Sequence, residues 1–493
     1  MKRLVAIIVV IAVLAAAAVV TVLLIQNGST MNTPTAASVI PRPVSQTDGD
    51  GTFDLTDAAA TGPLAELTGL PVSDNGTVVL AIGGDHPAGG YSLDVTSDGI
   101  QIEAVDEAGL FAGIQTLKQL TIDGAAQVTS IDDYPRFEYR GAMLDVARHF
   151  FPVDSVKRYI DDIALLKFNY LHLHLTDDQG WRIQIDSWPN LTEHGSTSAV
   201  GGIGGLNSGF YTKDDYREIV DYATSRFITI VPEIDMPGHT NAALSSYPEL
   251  TCNGSAPELY TGIEVGFSSL CIGSETTYGF VADVLGEIAE MTPGPYIHIG
   301  GDESLKTTPE DFLAFAKRVG ELGAATGKTL IGWHELGRSS ELPAGTVGQY
   351  WSFIEPQEGA AEETATFDQV IMSPADVAYL DMKYDVMSPY GLEWANGYTH
   401  LSDAYNWDPA EIVPGIGDDR ILGVEAPIWS ETLTTIDEVE YMAFPRIAAI
   451  AEKAWSPAGG TWAEFEPRVA AFGKYLDTLG INYYRTPEVS WIE

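Results

Sequence analysis

The chain has 493 residues, 45% hydrophobic and 19% charged, and its 26 Lys and Arg against 69 Asp and Glu leave a net charge of −43. So acidic a surface repels phosphate backbones and argues against any nucleic-acid partner. Gly 49 and Pro 27 are near ordinary usage, which excludes collagen-like and low-complexity chains, and the length suits one large barrel with extras or several domains.

Met1-Lys2-Arg3 precedes 22 residues, Leu4 to Ile25, in which Thr21 is the only polar side chain. A secretory apolar region runs about 7–15 residues and a spanning helix about 20. Residues 1–25 are read as a signal anchor, or as a signal peptide cleaved near the alanine run 15–18. Either way the body of the chain is expected outside the membrane, anchored or secreted, touching the membrane only through this segment. Residues 26–37 read as a polar linker. Export places Cys252 and Cys271 in an oxidising compartment, where two cysteines so close in sequence are expected to pair.

Residues 38–133 read as a small α+β domain. Strands are expected at Thr77–Ile82, Tyr91–Val95 and Ile100–Ala104, and helical spacing runs over Ala108–Leu120. Over residues 134–493 the rhythm changes to short apolar strands alternating with amphipathic helices. Strands are expected at Arg140–Asp145, Tyr170–Leu175, Ile228–Ile234, Tyr296–Gly300, Thr329–Trp333, Thr346–Trp351, Val370–Ser373 and Ile421–Glu425. Among the helices between them are Val153–Lys167, Lys213–Arg226, Thr276–Met291, Pro309–Gly323 and Asp437–Trp455. This alternation predicts an α/β fold, a (β/α)8 TIM barrel preceded by the small domain. No Gly-rich phosphate turn follows the first strand, which counts against a doubly wound sheet.

Such barrels carry their functional groups at the C-terminal ends of the strands. Those positions hold Asp145 and Arg148, Asp177 and Asp178, then Glu233, Asp235 and His239. Asp302 and Glu303 follow, then Trp333 and Glu335, Trp351, Tyr379 and Asp381, and Trp429 and Glu431. Indoles cover the C–H faces of sugars, while Asp, Glu and Arg grip hydroxyls through charge-assisted hydrogen bonds. Cleaving an acetal needs one protonated carboxyl for the leaving oxygen and one ionised carboxylate beside the developing cation. Any one Trp could be core and any one Asp a helix cap, but the set is hard to explain that way. Neighbours on a strand point to opposite faces, so Asp302 and Glu303 are expected to take different roles. Two rival readings stand beside this one. His172 and His174 share a strand face and, with His239 and His298, could hold a metal in a barrel hydrolase. The scaffold could also bind sugar without cleaving it.

HIGGDE (His298–Glu303), LHLTDDQGWR (Leu173–Arg182), LDVARHFF (Leu144–Phe151) and VPEIDMPGHT (Val231–Thr240) resemble glycoside hydrolase family 20, the β-N-acetylhexosaminidases. SGFYTKDDYREIV and YTGIEVGFSSLC are similar to that family too. The resemblance runs from about Ile40 to Trp455 and includes the small domain. It implies an exo-acting enzyme removing terminal β-linked N-acetylglucosamine or N-acetylgalactosamine from an oligosaccharide or glycan, with no metal or other cofactor. A disaccharide-releasing enzyme of the same family is the alternative. The substrate's own 2-acetamido carbonyl would attack the anomeric carbon, giving an oxazolinium ion that water opens with net retention. The resemblance assigns Glu303 as acid and then base, Asp302 as the group orienting the acetamido N–H, and Tyr379 as the donor to its carbonyl. Trp333, Trp351 and Trp429 would box the acetamido methyl, with Trp394 stacking on the sugar or a second ring. Arg148, Asp381 and Glu431 would grip hydroxyls. Asp177 and His239 would support Glu303, although simple strand alternation from His172 and His174 points instead to Asp178.

Overall fold

The computed structural model describes residues 39–492. The apolar segment at 1–25 and the linker at 26–37 lie outside the described residues. Among the described residues no helix is long and apolar enough to cross a membrane.

The small domain is a seven-stranded sheet. Tyr91–Val95 and Ile100–Ala104 sit at its centre, each alternating buried and more exposed positions as a half-buried strand requires. The helix Glu107–Leu120 lies across it, capped by Asp106, whose carboxylate accepts from the Gly109 N–H at 2.7 Å. Strands Ser45–Asp54 and Ala125–Asp133 complete one side. Neither was expected, because Ser45–Asp54 is a polar, mostly exposed edge strand with no apolar alternation to read.

Eight parallel strands then close a barrel: Tyr139–Asp145, Tyr170–His174, Thr229–Glu233, Tyr296–His298, Thr329–Trp333, Val347–Tyr350, Gln369–Met372 and Ile421–Ile428. All eight expected strands are present, with ends shifted by a few residues. The expected helix Asp437–Trp455 is two helices, Ile436–Ala443 and Arg446–Trp455. Pro445 causes the break, since it lacks an N–H and its ring clashes with the preceding turn. A last helix, Trp462–Leu479, was missed although its capping box, Thr461 with Glu464, is visible in the sequence.

Pleating decides what fills the barrel. Along the second strand Leu171 and Leu173 face out and join the apolar layer under the helices. His172 and His174 face in and are fully buried. The floor is apolar and aromatic, with Tyr139 stacked on Tyr170 at 4.3 Å between centroids. Above that floor the interior becomes polar. The small domain docks at the same lower end, where Lys167 Nζ lies 2.9 Å from Asp133 and the Trp455 indole N–H donates to Asp133 at 3.0 Å. The upper end stays open.

Candidate active site

The fourth strand ends at His298, and the backbone then leaves the pleat. Gly300 and Gly301 take φ of 67° and 110°, and Glu303 follows at 42°. A Cβ on Gly300 would collide with the Asp235 carboxylate, so only glycine fits there. Asp302 and Glu303 diverge because of this left-handed turn, not because a strand alternates, which corrects the expectation from pleating. Left-handed Glu303 and His239 (φ 53°) cost about 1–3 kcal/mol each, held by the surrounding packing.

His239 organises the two carboxylates. Its Nε2 lies 3.4 Å from Glu303 Oε2 and 3.6 Å from Asp302 Oδ2. Its Nδ1 faces Asp177 Oδ1 at 3.1 Å. Asp177 also meets His174 Nε2 at 2.8 Å and Arg148 Nη2 at 2.9 Å. Asp178 turns the other way and accepts from the Asn241 N–H and the Ser268 hydroxyl. Simple alternation from His172 and His174 therefore misplaces the contact, because the chain turns into a short ribbon at Thr176–Asp177.

A cavity of about 410 Å³ opens above these groups, lined by Asp302, Glu303, His239, Tyr379, Trp351 and Trp429 among others. Arg148, Glu431 and Trp394 also line it. Trp394 is 45% exposed and stands at the mouth, 6.1 Å from the Trp351 ring. Trp333 lies one layer deeper, 6.1 Å from Trp429, and does not itself form the wall. Asp381 is buried behind the wall, accepting from the Trp429 N–H at 3.3 Å while its other oxygen has no hydrogen-bond partner among the described residues. Arg148 lies over the Trp429 ring at 4.8 Å and keeps Asp145 at 3.4 Å and Glu431 at 3.9 Å. It is thus both an ion-pair partner and a cavity wall.

Burial sets the charge states. It pushes the Asp302 carboxyl up to about 7, with Glu335 and Glu303 adding to the rise against the opposing pull of His239. Burial likewise pushes Glu335 up to about 7, although its oxygens accept from the Trp351 indole N–H at 3.0 and 3.1 Å. Burial works against charge on His239, yet Asp177, Asp302 and Asp235 together raise it well above the usual imidazole range. Asp177 is held well below the usual carboxylate range by Arg148 and His239, which outweigh its burial.

Several wall residues carried no role in the sequence reading. Ile263, Glu264 and Val265 line the mouth, as do Leu392 and Glu393. The first three lie inside the stretch YTGIEVGFSSLC, a visible signal without an assignable role. They belong to the loop closed by the Cys252–Cys271 disulfide, as the spacing of the two cysteines led us to expect. Cross-linking a loop of this length is worth about 3 kcal/mol in unfolded-chain entropy. The double variant Cys252→Ser, Cys271→Ser is expected to lose about that much stability in urea titration. It should also raise KM more than it lowers kcat, because the loop supplies walls and not reacting groups; a loss confined to kcat would contradict this placement.

Paired carboxylates facing an aromatic-walled cavity at the upper end of a (β/α)8 barrel define a glycoside hydrolase. The profile of glycosyl hydrolase family 20, catalytic domain, matches residues 137–458, and that of family 20, domain 2, matches residues 63–134. The chain belongs to glycosyl hydrolase family 20. It is 42% identical over 489 residues to a β-N-acetylhexosaminidase of Cellulomonas fimi, covering 92% of this chain and 97% of that one. A mutant Streptomyces plicatus β-hexosaminidase in complex with product (GlcNAc) superimposes with a TM-score of 0.89 at 46% identity, covering 94% and 99% of the two chains. An exo-β-N-acetylglucosaminidase from Vibrio harveyi in complex with N-acetylglucosamine gives 0.80 at 32% identity, covering 91% and 78%.

Proposed function

We propose that this enzyme is an exo-acting β-N-acetylhexosaminidase that releases terminal β-linked N-acetylhexosamine from glycans through its substrate's own acetamido group. The supporting observation is the arrangement at the cavity base. Glu303 and Asp302 share one imidazolium edge, and Tyr379 and the indole of Trp429 border the same space. Glu303, its side chain 32% exposed, reaches the space where a leaving oxygen would stand. It donates its proton to that oxygen and later takes one from the incoming water. Asp302, only 12% exposed at its side chain, accepts from the acetamido N–H and offsets the positive charge of the oxazolinium. Tyr379 donates to the acetamido carbonyl and aims it at the anomeric carbon. Trp351 and Trp429, with Trp333 behind them, enclose the methyl group. Arg148 and Glu431, which line the cavity, grip the ring hydroxyls, Asp381 behind them holds the Trp429 backbone in place, and Trp394 offers a stacking face at the mouth. The names of the relatives favour this reading over a disaccharide-releasing one.

An intramolecular nucleophile replaces a bimolecular attack, and that advantage disappears with the acetamido group. Aryl β-glucosides are therefore expected to react at least about a thousandfold more slowly than the matching aryl N-acetyl-β-glucosaminides. The product anomer, followed by NMR, is expected to retain its configuration. Comparable rates on both substrates, or an inverted product, would defeat the reading.

The basic start, the apolar run Leu4–Ile25 and the disulfide support an exported enzyme working outside the membrane, on chitin fragments or other glycans. Protease treatment of intact cells tests it: degradation of the enzyme is expected, and full protection would contradict export.

A further inference from the structure

The buried glutamate Glu233, at the end of the third barrel strand, touches neither the cavity nor any group given a role above except Trp333. Its carboxylate is surrounded by four ring nitrogens. Oε2 accepts from His172 Nε2 at 3.0 Å and from His174 Nδ1. Oε1 accepts from the Trp333 indole N–H at 3.1 Å and lies 2.9 Å from His298 Nδ1. Burial alone would neutralise so enclosed a carboxyl, but His298, His174 and His172 hold it well below the usual carboxylate range. From it a chain of alternating carboxylates and imidazoles leads upward: Glu233, His174, Asp177, His239, Glu303. A branch leads down through His172 to Glu425, 3.0 Å away, and on to the Tyr139 hydroxyl.

We infer that Glu233 is a positioning residue for the acid Glu303, acting through His174, Asp177 and His239. This role rests on the acid–base reading proposed above. His174 has a carboxylate at each ring nitrogen, so it is a doubly donating imidazolium whose orientation is fixed from below by Glu233. That leaves Asp177 one oxygen for His174 and Arg148 and the other for His239. Removing the negative charge at 233 frees the His174 proton, loosens Asp177 and lets the His239 ring drift from Glu303. The same bonds account for the paired histidines. His172, His298 and Glu233 stand close enough together to suggest a metal site. Yet both nitrogens of His172 and of His174 face carboxylate oxygens, and partnership with Glu425 and Glu233 raises His172 to about 9 against the effect of burial. With a carboxylate oxygen at each nitrogen, both rings are fully engaged in hydrogen bonds in this arrangement.

The test is kcat/KM of the full chain carrying Glu233→Gln, on aryl N-acetyl-β-glucosaminides from 2,4-dinitrophenyl to phenyl. A good leaving group needs no proton, whereas a poor one depends on Glu303. If Glu233 positions the acid, the loss should grow from under about 5-fold on the dinitrophenyl substrate to about 100-fold on the phenyl substrate. A purely structural effect lowers the active fraction and cuts every substrate by the same factor, and that result would overturn the inference. If Glu233→Gln does not fold, His174→Gln cuts the one step between Glu233 and Asp177 and is expected to show the same trend; a uniform loss there would likewise overturn the inference. Glu303→Gln serves as reference. Absence of the trend in Glu303→Gln would overturn the acid assignment itself, whereas its presence there and absence in Glu233→Gln would remove only the role of Glu233.

Discussion

Glu303→Gln is expected to reduce kcat/KM on phenyl or glycan substrates by about 10³–10⁴-fold while leaving the 2,4-dinitrophenyl substrate within about tenfold of the native rate. The glutamine fills the same volume and can still donate to an oxygen, but it has no proton to release. The first step then proceeds only when the leaving group departs unassisted. The second step needs a base for water, the role proposed for Glu303, so kcat should fall even where kcat/KM survives. Steady-state kinetics across leaving groups separate these two losses. Equal losses on all substrates would mean that Glu303 binds the sugar and does not protonate it.

Asp302→Asn is expected to lower kcat by about 10²–10³-fold, yet to make the folded enzyme more stable at neutral and alkaline pH. The two effects have one origin. Burial raises the carboxyl from 3.8 to about 7, so the fold favours the neutral form. The unfolded chain gives up that proton at about pH 4 and the native chain only at about pH 7. Between those values the native state holds the extra proton, and stability falls as pH rises. Above pH 7 the full penalty applies, at most about 4 kcal/mol from the gap in pKa. Asparagine removes it, so Asp302→Asn should unfold later than the native enzyme in urea at pH 8 and match it at pH 4. On the assisted mechanism proposed above, the reaction needs that unfavourable carboxylate because an oxazolinium cation would develop beside it, an exchange of stability for function. Unchanged turnover in this variant would sink the assisted mechanism, and unchanged stability at pH 8 would show that the carboxylate is not the buried burden the geometry describes.

Much of the fold was legible because its signal is local. Thr329–Trp333 matches its expected bounds and Tyr296–His298 falls within its own, since short apolar runs between helices have few other uses. The edge strand Ser45–Asp54 carried no signal because its side chains face water and its place is set by pairing with Ala125–Asp133. The helix break at Phe444-Pro445 was present in the sequence and went unread under the amphipathic pattern on either side.

The candidate site divides along the same line. Residue type and strand-end position place Asp302, Glu303, His239, Tyr379, Trp333, Trp351 and Trp429 among a longer set of candidates, because a barrel offers few places for acetal chemistry, and the family resemblance singles these out and adds Trp394. Which oxygen meets which nitrogen was decided in three dimensions. Asp177 rather than Asp178 faces His239 because the backbone leaves the pleat at Thr176, where period-two reasoning stops. Asp302 and Glu303 part company because Gly300 and Gly301 adopt φ angles closed to other residues. Ile263 to Val265 reach the cavity from a loop closed by a disulfide, and Glu233 gains its four partners from three other strands or strand neighbours. Sequence patterns report which face of an element is buried. Only closure of the barrel brings residues far apart in sequence into contact with one another, and that closure set the charge on Glu233, His174, Asp177 and His239.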